Sequence, residues 1–341
     1  MPDALRVGVV GCGSFGRNHA RVYRELAAEG VELAGVADVN RERAQALAKE
    51  FGTRAFASVD ELIEAGVDAA SVAVPTVAHL DVGRQLMQHG VDVLIEKPLA
   101  TTVAEADELI AVAREHGRVA QAGHLERFNP AVRATIPLIT QPMFFEVHRL
   151  SVFTPRSLDV DVILDLMIHD LDVVLSFVNS PVKEVRAVGL PILSTKVDIA
   201  NVRMEFESGC VANFTASRVS TERIRKLRFF QPRQYVSLDY SRQDVLVLSV
   251  EAKPNIEDED PFNPASVAAS AFPGITPYKP KTEQQEPLKT ELLSFLRAVR
   301  ERSTPEVTLE DGRRALGVAT QIVHAIAQHS REARLSELTR Q

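Results

Sequence analysis

Lys97, Asp165 and His169 are the residues of this chain best suited to move a proton. Lys97 directly follows a short apolar run, Val91 to Ile95, and precedes Pro98. A lysine at the end of a buried strand, stiffened by proline, points into the space beyond the strand, although a solvated loop lysine has the same local signature. Asp165 and His169 belong to a longer pattern. Between Val160 and Val178, Asp161, Asp165, His169, Asp172 and Ser176 recur at steps of four, four, three and four in an otherwise apolar stretch. Those steps predict one line on a helix. Ionisable groups on a buried helix are costly unless they are paired or line a cavity. The bland alternative is an acidic face turned to solvent. In the functional reading, a histidine oriented by an acid takes a hydroxyl proton near neutral pH.

A second group predicts a ligand for that chemistry. Arg6 to Val10 is a short β-branched run of the kind buried on both faces of a sheet. Gly11, Gly13 and Gly16, with Cys12, Ser14 and Phe15 between them, follow as a G-x-G-x-x-G. Ala20, Tyr23, Leu26 and Ala27 then recur at helical spacing up to Gly30, and Val31 to Ala37 leads to Asp38. A strand, a glycine turn, a helix and an acid after the next strand together predict a dinucleotide site. Gly11 permits the turn, Gly13 admits a pyrophosphate, and Gly16 lets helix and strand approach. The helix N-terminus offers N–H groups to phosphate, and Asp38 accepts from ribose hydroxyls. Asp38 favours NAD over NADP; Arg41 and Arg43 weaken that preference.

The elements that must position these residues are legible too. Asn40, Ser58 with Glu61, and Thr102 with Glu105 read as helix starts. Ala69 to Val74, Val91 to Ile95 and Val119 to Ala122 read as strands between them. Alternating strands and helices mean βαβ units and a parallel sheet, so a first domain over residues 1–123 is expected. Loops at the carboxyl ends of such strands bind ligands, and they carry Pro75, His79, Glu96 and Lys97. Residues 124–341 change character. Ile199 to Phe206 alternates, turns at Ser208-Gly209 and returns through Ala212, Phe214 and Ala216, which predicts a hairpin. With Phe144 to Leu150 and further strand candidates, a large, mostly antiparallel open sheet is expected. Residues 254–287 hold seven prolines and predict a long arm or loop. Two helices, Leu288 to Arg302 and about Asp311 to His329, close the chain.

Composition narrows the partners. At 341 residues the chain has room for two cores, and its net charge of −7 argues against a nucleic-acid surface and against anionic membrane. No apolar run is long enough to span a bilayer, and Met-Pro-Asp-Ala-Leu-Arg does not read as a signal peptide. Cys12 and Cys210 suggest no disulfide framework, and no Cys/His spacing suggests a metal site. A reduced, cytoplasmic setting is expected.

Gly11-x-Gly13-x-x-Gly16, Pro75 with His79, Glu96-Lys97-Pro98 and Asp165-x-x-x-His169-x-x-Asp172 together resemble the Gfo/Idh/MocA family of NAD(P)-dependent sugar and polyol oxidoreductases. The resemblance spans nearly the whole chain. It implies a Rossmann domain followed by an α/β domain with an open antiparallel-rich sheet. It places Lys97, Asp165 and His169 at a substrate carbinol, and the cofactor on Gly11, Gly13, Ser14, Phe15, Gly16, Asp38, Pro75, His79, Glu96 and Lys97. Where the family often has glycines, this chain has Val162, Ile163 and Met167, so an inositol-type pocket does not carry over. His124 to Pro130, Ile163 to Asp170 and Cys210 to Arg218 resemble the subgroup that holds UDP-N-acetylglucosamine 3-dehydrogenases. There the ketosugar is transaminated toward amide-linked lipid A. A nucleotide-sugar substrate calls for cations and polar contacts, for which His124, Arg127, Arg149, Arg156, Asp172 and Arg218 are candidates. A dehydrogenase of another sugar or polyol, and a non-catalytic NAD-dependent regulator, are the alternatives. The uncovered face of the second sheet implies a homodimer or homotetramer.

Overall fold

Short runs of valine, alanine and isoleucine, buried on both faces, build the first sheet. The computed structural model describes residues 4–154, 160–250 and 275–333. Strands β1 (Leu5–Val10), β2 (Val31–Ala37), β3 (Arg54–Phe56), β4 (Ala69–Val72), β5 (Asp92–Glu96) and β6 (Ala120–Gly123) lie in the order β3-β2-β1-β4-β5-β6. Every neighbouring pair is parallel. Helices α1 (Ser14–Glu25), α2 (Arg41–Phe51), α3 (Val59–Glu64), α4 (His79–Gln88) and α5 (Val103–Glu115) make the connections. The strand order reverses between β1 and β4, and ligands of such sheets bind outside the carboxyl ends at that point. The expected caps form: Asn40 accepts from Arg43 N–H, Ser58 from Glu61 N–H, and Thr102 with Glu105 closes a capping box. Each such cap is worth about 1 kcal/mol.

The second sheet is larger. Strands β7 (Phe144–Val152), β8 (Val182–Leu190), β9 (Ile199–Phe206), β10 (Val211–Ser220), β11 (Ile224–Gln231), β12 (Gln234–Asp239), β13 (Asp244–Ser249) and β14 (Thr276–Tyr278) lie in the order β14-β13-β12-β11-β7-β10-β9-β8. Only the β7–β10 pair among these is parallel. Strict alternation puts Ala200, Val202, Met204 and Phe206 on the buried face, opposite Ala212, Phe214 and Ala216 of β10. Pro277 lies in β14, an edge strand, where a missing N–H is tolerated. Residues 251–274, most of the proline-rich stretch, fall outside the described residues.

The chain divides into two compact units, and the division is not a single cut. The first comprises residues up to Phe128 together with Glu286–Gly317; the second comprises Asn129–Gln285 and the chain from Val318 onward. Sequence reading placed everything after residue 123 in the second domain. The helix Pro287–Glu301 explains the difference. Its Leu292, Phe295, Leu296 and Val299 are buried in one cluster with Val22, Tyr23 and Leu26 of the first unit. Its apolar stripe completes that core.

Candidate active site

In the first unit the glycine turn has the shape of a phosphate cradle. Gly11 sits at φ +96°, and a Cβ there would come within 2.5 Å of the Ala73 carbonyl oxygen. A Cβ on Gly16 would lie 1.7 Å from the Gly11 carbonyl oxygen, so α1 and the turn touch only because both residues are glycine. Gly13 differs, since a Cβ there would meet nothing within 4 Å. That open space lies at the N-terminus of α1, which has no side-chain cap and no acid in its first turn. Ser14 and Phe15 lie exposed beside it. The helix therefore presents its N–H groups and positive end without competition.

Asp38 does two jobs. Its Oδ2 accepts from Cys12 N–H at 2.7 Å, and its Oδ1 accepts from Asn40 N–H at 2.7 Å. The acid thus ties the glycine turn to the loop after β2. Burial and the nearby Asp38 charge push the Cys12 thiol up to about 12, so it stays protonated at neutral pH. A cavity of about 390 Å³ runs past Gly13, Asp38, Arg43, Ser58, Val74 and Pro75. Its size, its apolar walls and the acid at its edge fit a dinucleotide's adenosine end.

The ring of His79 lies between the loops after β4 and β5. Its Nδ1 lies 3.0 Å from the Pro98 carbonyl oxygen and 3.3 Å from that of Leu99, and its Nε2 lies 3.0 Å from that of Val74. The ring is buried, and burial holds its pKa below the ordinary value, against the contrary pull of the carbonyls and Glu96. Position 79 therefore shapes the loops rather than lining open space. Lys97, half-buried, stands at the end of β5 before the cis-proline Pro98.

Glu96 faces inward. Its Oε1 lies 2.8 Å from His19 Nε2, and its Oε2 accepts from Lys97 N–H at 3.3 Å. Burial alone would raise this carboxyl. The His19 hydrogen bond and attraction, the Lys97 charge and the Lys97 N–H outweigh it, and the group sits below its ordinary value. Sequence reading missed His19, and took Tyr23 and Ser71 for ordinary interior positions. The signal was present: His19 and Tyr23, four apart on the inward face of α1, and a serine inside the apolar strand β4. His124 is buried just past β6, and Arg127 is half-exposed in the short turn Leu125–Phe128.

In the second unit, Asp165 and His169 lie on a helix that changes its pitch. Ile163–Met167 is a π-helical turn, and α6 (Ile168–Phe177) continues from it. A π turn is wider than an α turn, so the steps from Asp161 through Asp165 to His169 run through a turn that is not regular α-helix. Both are half-buried, whereas Asp172 is buried. Asp161 Oδ1 accepts from Val197 N–H at 2.9 Å, and Ser176 Oγ donates to the Val173 carbonyl at 2.7 Å. These two members of the stripe therefore serve the backbone.

Two of the candidate arginines, Arg149 and Arg218, lie against carboxylates. Arg149 is buried and makes a two-pronged pair with Asp170, Nε to Oδ2 at 2.6 Å and Nη2 to Oδ1 at 3.0 Å. Its guanidinium also lies over the Tyr240 ring, 5.1 Å from the centroid. Arg218, also buried, donates to the Val160 carbonyl and lies 3.6 Å from Asp198. Asp198 accepts from the N–H groups of Ile192, Leu193 and Ser194 and from the Ser194 hydroxyl. Burial raises that carboxyl, yet those donors hold it below the ordinary aspartate value. Arg156 falls outside the described residues.

Comparison with known proteins assigns this architecture. Residues 5–124 match the oxidoreductase family with NAD-binding Rossmann fold, and residues 142–232 match the GFO/IDH/MocA C-terminal domain. The UDP-N-acetylglucosamine 3-dehydrogenase of Acidithiobacillus ferrooxidans is 37% identical over 94% of this chain and 97% of the relative. A solved structure of that enzyme, GnnA, superposes with a TM-score of 0.85 over the same shares of both chains. The scyllo-inositol 2-dehydrogenase (NAD(+)) of Bacillus subtilis is 26% identical over 64% of this chain and 69% of its own. Levoglucosan dehydrogenase, solved with NADH and levoglucosan, shares the fold at 18% identity and a TM-score of 0.79, over 95% of this chain and 97% of its own. The chain belongs to the Gfo/Idh/MocA family of NAD-binding oxidoreductases.

Proposed function

We propose that this protein oxidises the 3-hydroxyl of UDP-N-acetylglucosamine to the ketone with NAD. The observation that carries the reading is the near-full-length likeness, in sequence and in fold, to the Acidithiobacillus enzyme. The turn at Gly11, Gly13 and Gly16, the N-terminus of α1 and Asp38 hold the cofactor, which accepts a hydride when bound. His169 takes the hydroxyl proton, and Asp165 orients its ring. Lys97 hydrogen-bonds the same oxygen and stabilises the negative charge that develops there. Arg149 and Arg218 are paired to carboxylates, and Arg127 and Arg156 are the candidates for holding a diphosphate. In this reading the ketosugar passes to an aminotransferase on the way to amide-linked lipid A, in the cytoplasm.

The same reading includes a homo-oligomer. The outward face of the second sheet carries Phe144, Phe230 and Tyr235, with ring centroids 5.7 and 5.1 Å apart along the row. Phe230 is 38% exposed, and a second copy packed on this row would cover it. The test of function is direct. The protein is incubated with NAD and a panel of UDP-N-acetylglucosamine, other nucleotide sugars and inositols, and reduced-cofactor absorbance is followed. Turnover of UDP-N-acetylglucosamine with an oxime-trappable ketone is expected. Preference for an inositol, or cofactor binding with no turnover of any sugar, overturns the assignment.

A further inference from the structure

Beneath the loop that carries Lys97, four side chains form a continuous polar chain inside an apolar core. Tyr23 OH lies 2.7 Å from Ser71 Oγ, Ser71 Oγ 2.9 Å from His19 Nδ1, and His19 Nε2 2.8 Å from Glu96 Oε1. His19, Ser71 and Tyr23 are fully buried and Glu96 nearly so. We propose that His19, backed by Ser71 and Tyr23, is a positioning residue for Lys97. Its ring holds the Glu96 carboxylate, and that carboxylate holds the Lys97 backbone at the end of β5.

The donors and acceptors assign themselves. Burial, offset only in part by Ser71, pushes the Tyr23 phenol up, and nearby Glu291 adds to it, so Tyr23 keeps its proton. An ionised Glu96 only accepts, so His19 Nε2–H donates to it in either charge state of the ring. In the neutral ring, Nδ1 accepts from the Ser71 hydroxyl, and Ser71 Oγ accepts from Tyr23. Each bond then points toward Glu96, and such chains strengthen their members. The chain is closed at its far end, because Tyr23 is buried. It therefore anchors a charge rather than conducting a proton to solvent.

The anchor matters because of what lies at its near end. Glu96 Oε2 accepts from Lys97 N–H, while His79 contacts the Pro98 carbonyl on the other side. The Lys97 N–H is held by Glu96 and the next residue's carbonyl lies against His79, and a misplacement of about 1 Å at such a position can cost a hundredfold in rate. The charged and titratable groups facing Glu96 are His19 from α1, Lys97 from its own loop and His79 from α4; Glu291, from the helix Pro287–Glu301, acts on the Tyr23 end. Deprived of His19, Glu96 is a buried carboxylate with one donor fewer. It then takes a proton more readily or moves.

This inference rests on the proposal that Lys97 meets the reacting hydroxyl, so its test has an arm that needs no sugar. His19→Gln carries an amide N–H to the Nε2 position and keeps the bond to Glu96. His19→Asn reaches only the Nδ1 position. A packing role would rank the two alike; a positioning role separates them. With UDP-N-acetylglucosamine, His19→Asn should lower kcat by about tenfold or more while His19→Gln stays within about threefold of wild type. KM and NAD binding should change by about twofold or less in both. In the second arm, the NAD-bound proteins react with acetic anhydride across pH, and Lys97 labelling is read by mass spectrometry. His19→Asn should change the Lys97 labelling profile, reacting several-fold faster near neutral pH, while His19→Gln follows wild type. Equal behaviour of the two variants in labelling overturns the proposal whatever the sugar result. Separation in labelling with no turnover of the sugar sustains it and overturns the substrate assignment instead. If His19→Asn does not fold, Ser71→Ala replaces it, and a wild-type labelling profile there overturns the proposal.

Discussion

A base that removes a hydroxyl proton has to reach the substrate and keep its orientation. Asp165 and His169 are half-exposed, whereas Asp170 and Asp172 beside them are buried. That contrast separates two groups able to meet a ligand from Asp170, whose carboxylate is taken by Arg149. His169→Ala and Lys97→Ala should each lower kcat by about a hundredfold or more, the usual scale for a positioned acid–base group. Asp165→Asn should cost less, because an amide still orients a ring. The ascending limb of the kcat/KM pH profile should vanish in His169→Ala; an unchanged limb with near-normal turnover would remove His169 from the mechanism. Asp38 supports a separate expectation. Its oxygens already hold Cys12 and Asn40, so Asp38→Ala loosens the glycine turn as well as losing a ribose partner. NAD affinity measured by fluorescence titration should drop about tenfold, the scale of one lost charge-assisted hydrogen bond. Tighter binding of NADP than NAD by the wild-type protein would contradict the role given to this acid.

Elements are held by pairs that the candidate chemistry does not use. Arg149 of β7 grips Asp170 one residue from His169, which fixes α6 against the sheet. Arg149→Met should destabilise the protein by about 3 kcal/mol in denaturant unfolding, because Asp170 stays buried without its guanidinium. Arg149→Met with Asp170→Leu should recover most of that loss; an equal loss in both would show that packing alone is at stake. Asp198 organises the loop over residues 191–197. Its folded-state value lies below the ordinary one, so its stabilisation is present above the unfolded value and is lost as pH falls through the folded value. The melting temperature of Asp198→Asn should therefore fall less steeply on acidification than that of wild type. These elements also show what the sequence makes legible. The β9–β10 hairpin follows from alternation, and the glycine turn from its fixed spacing, because each reflects a strictly local geometry. The π turn at Ile163–Met167 does not, since its residues fit an α-helix as well. Nor did the arginines declare their partners. Arg149 and Asp170 meet across a sheet and a helix, and nothing in their spacing predicts it. His19 was hidden for the opposite reason, as a polar residue among positions that the apolar period assigns to the core.

At the scale of the molecule, the open sheet has one face filled and one face with a row of aromatics. Light scattering at micromolar concentration should give a dimer or a larger species, and Phe230→Glu should shift it toward monomer. A wild-type monomer would leave the aromatic row unexplained by self-association. The return of residues 286–317 to the first unit has a different consequence. The ribosome delivers the nucleotide-binding half first, yet Leu292, Phe295, Leu296 and Val299, which close its core, emerge almost last. During that interval the nascent chain shows water the apolar side of α1, around Val22 and Leu26, for the whole time the second unit is being made. At roughly 5–20 residues per second, the delay is on the order of ten to thirty seconds, long compared with collapse. Residues 1–128 expressed without the late helix should therefore lack part of their core and aggregate, and adding residues 286–317 should restore solubility, which a soluble-fraction assay checks.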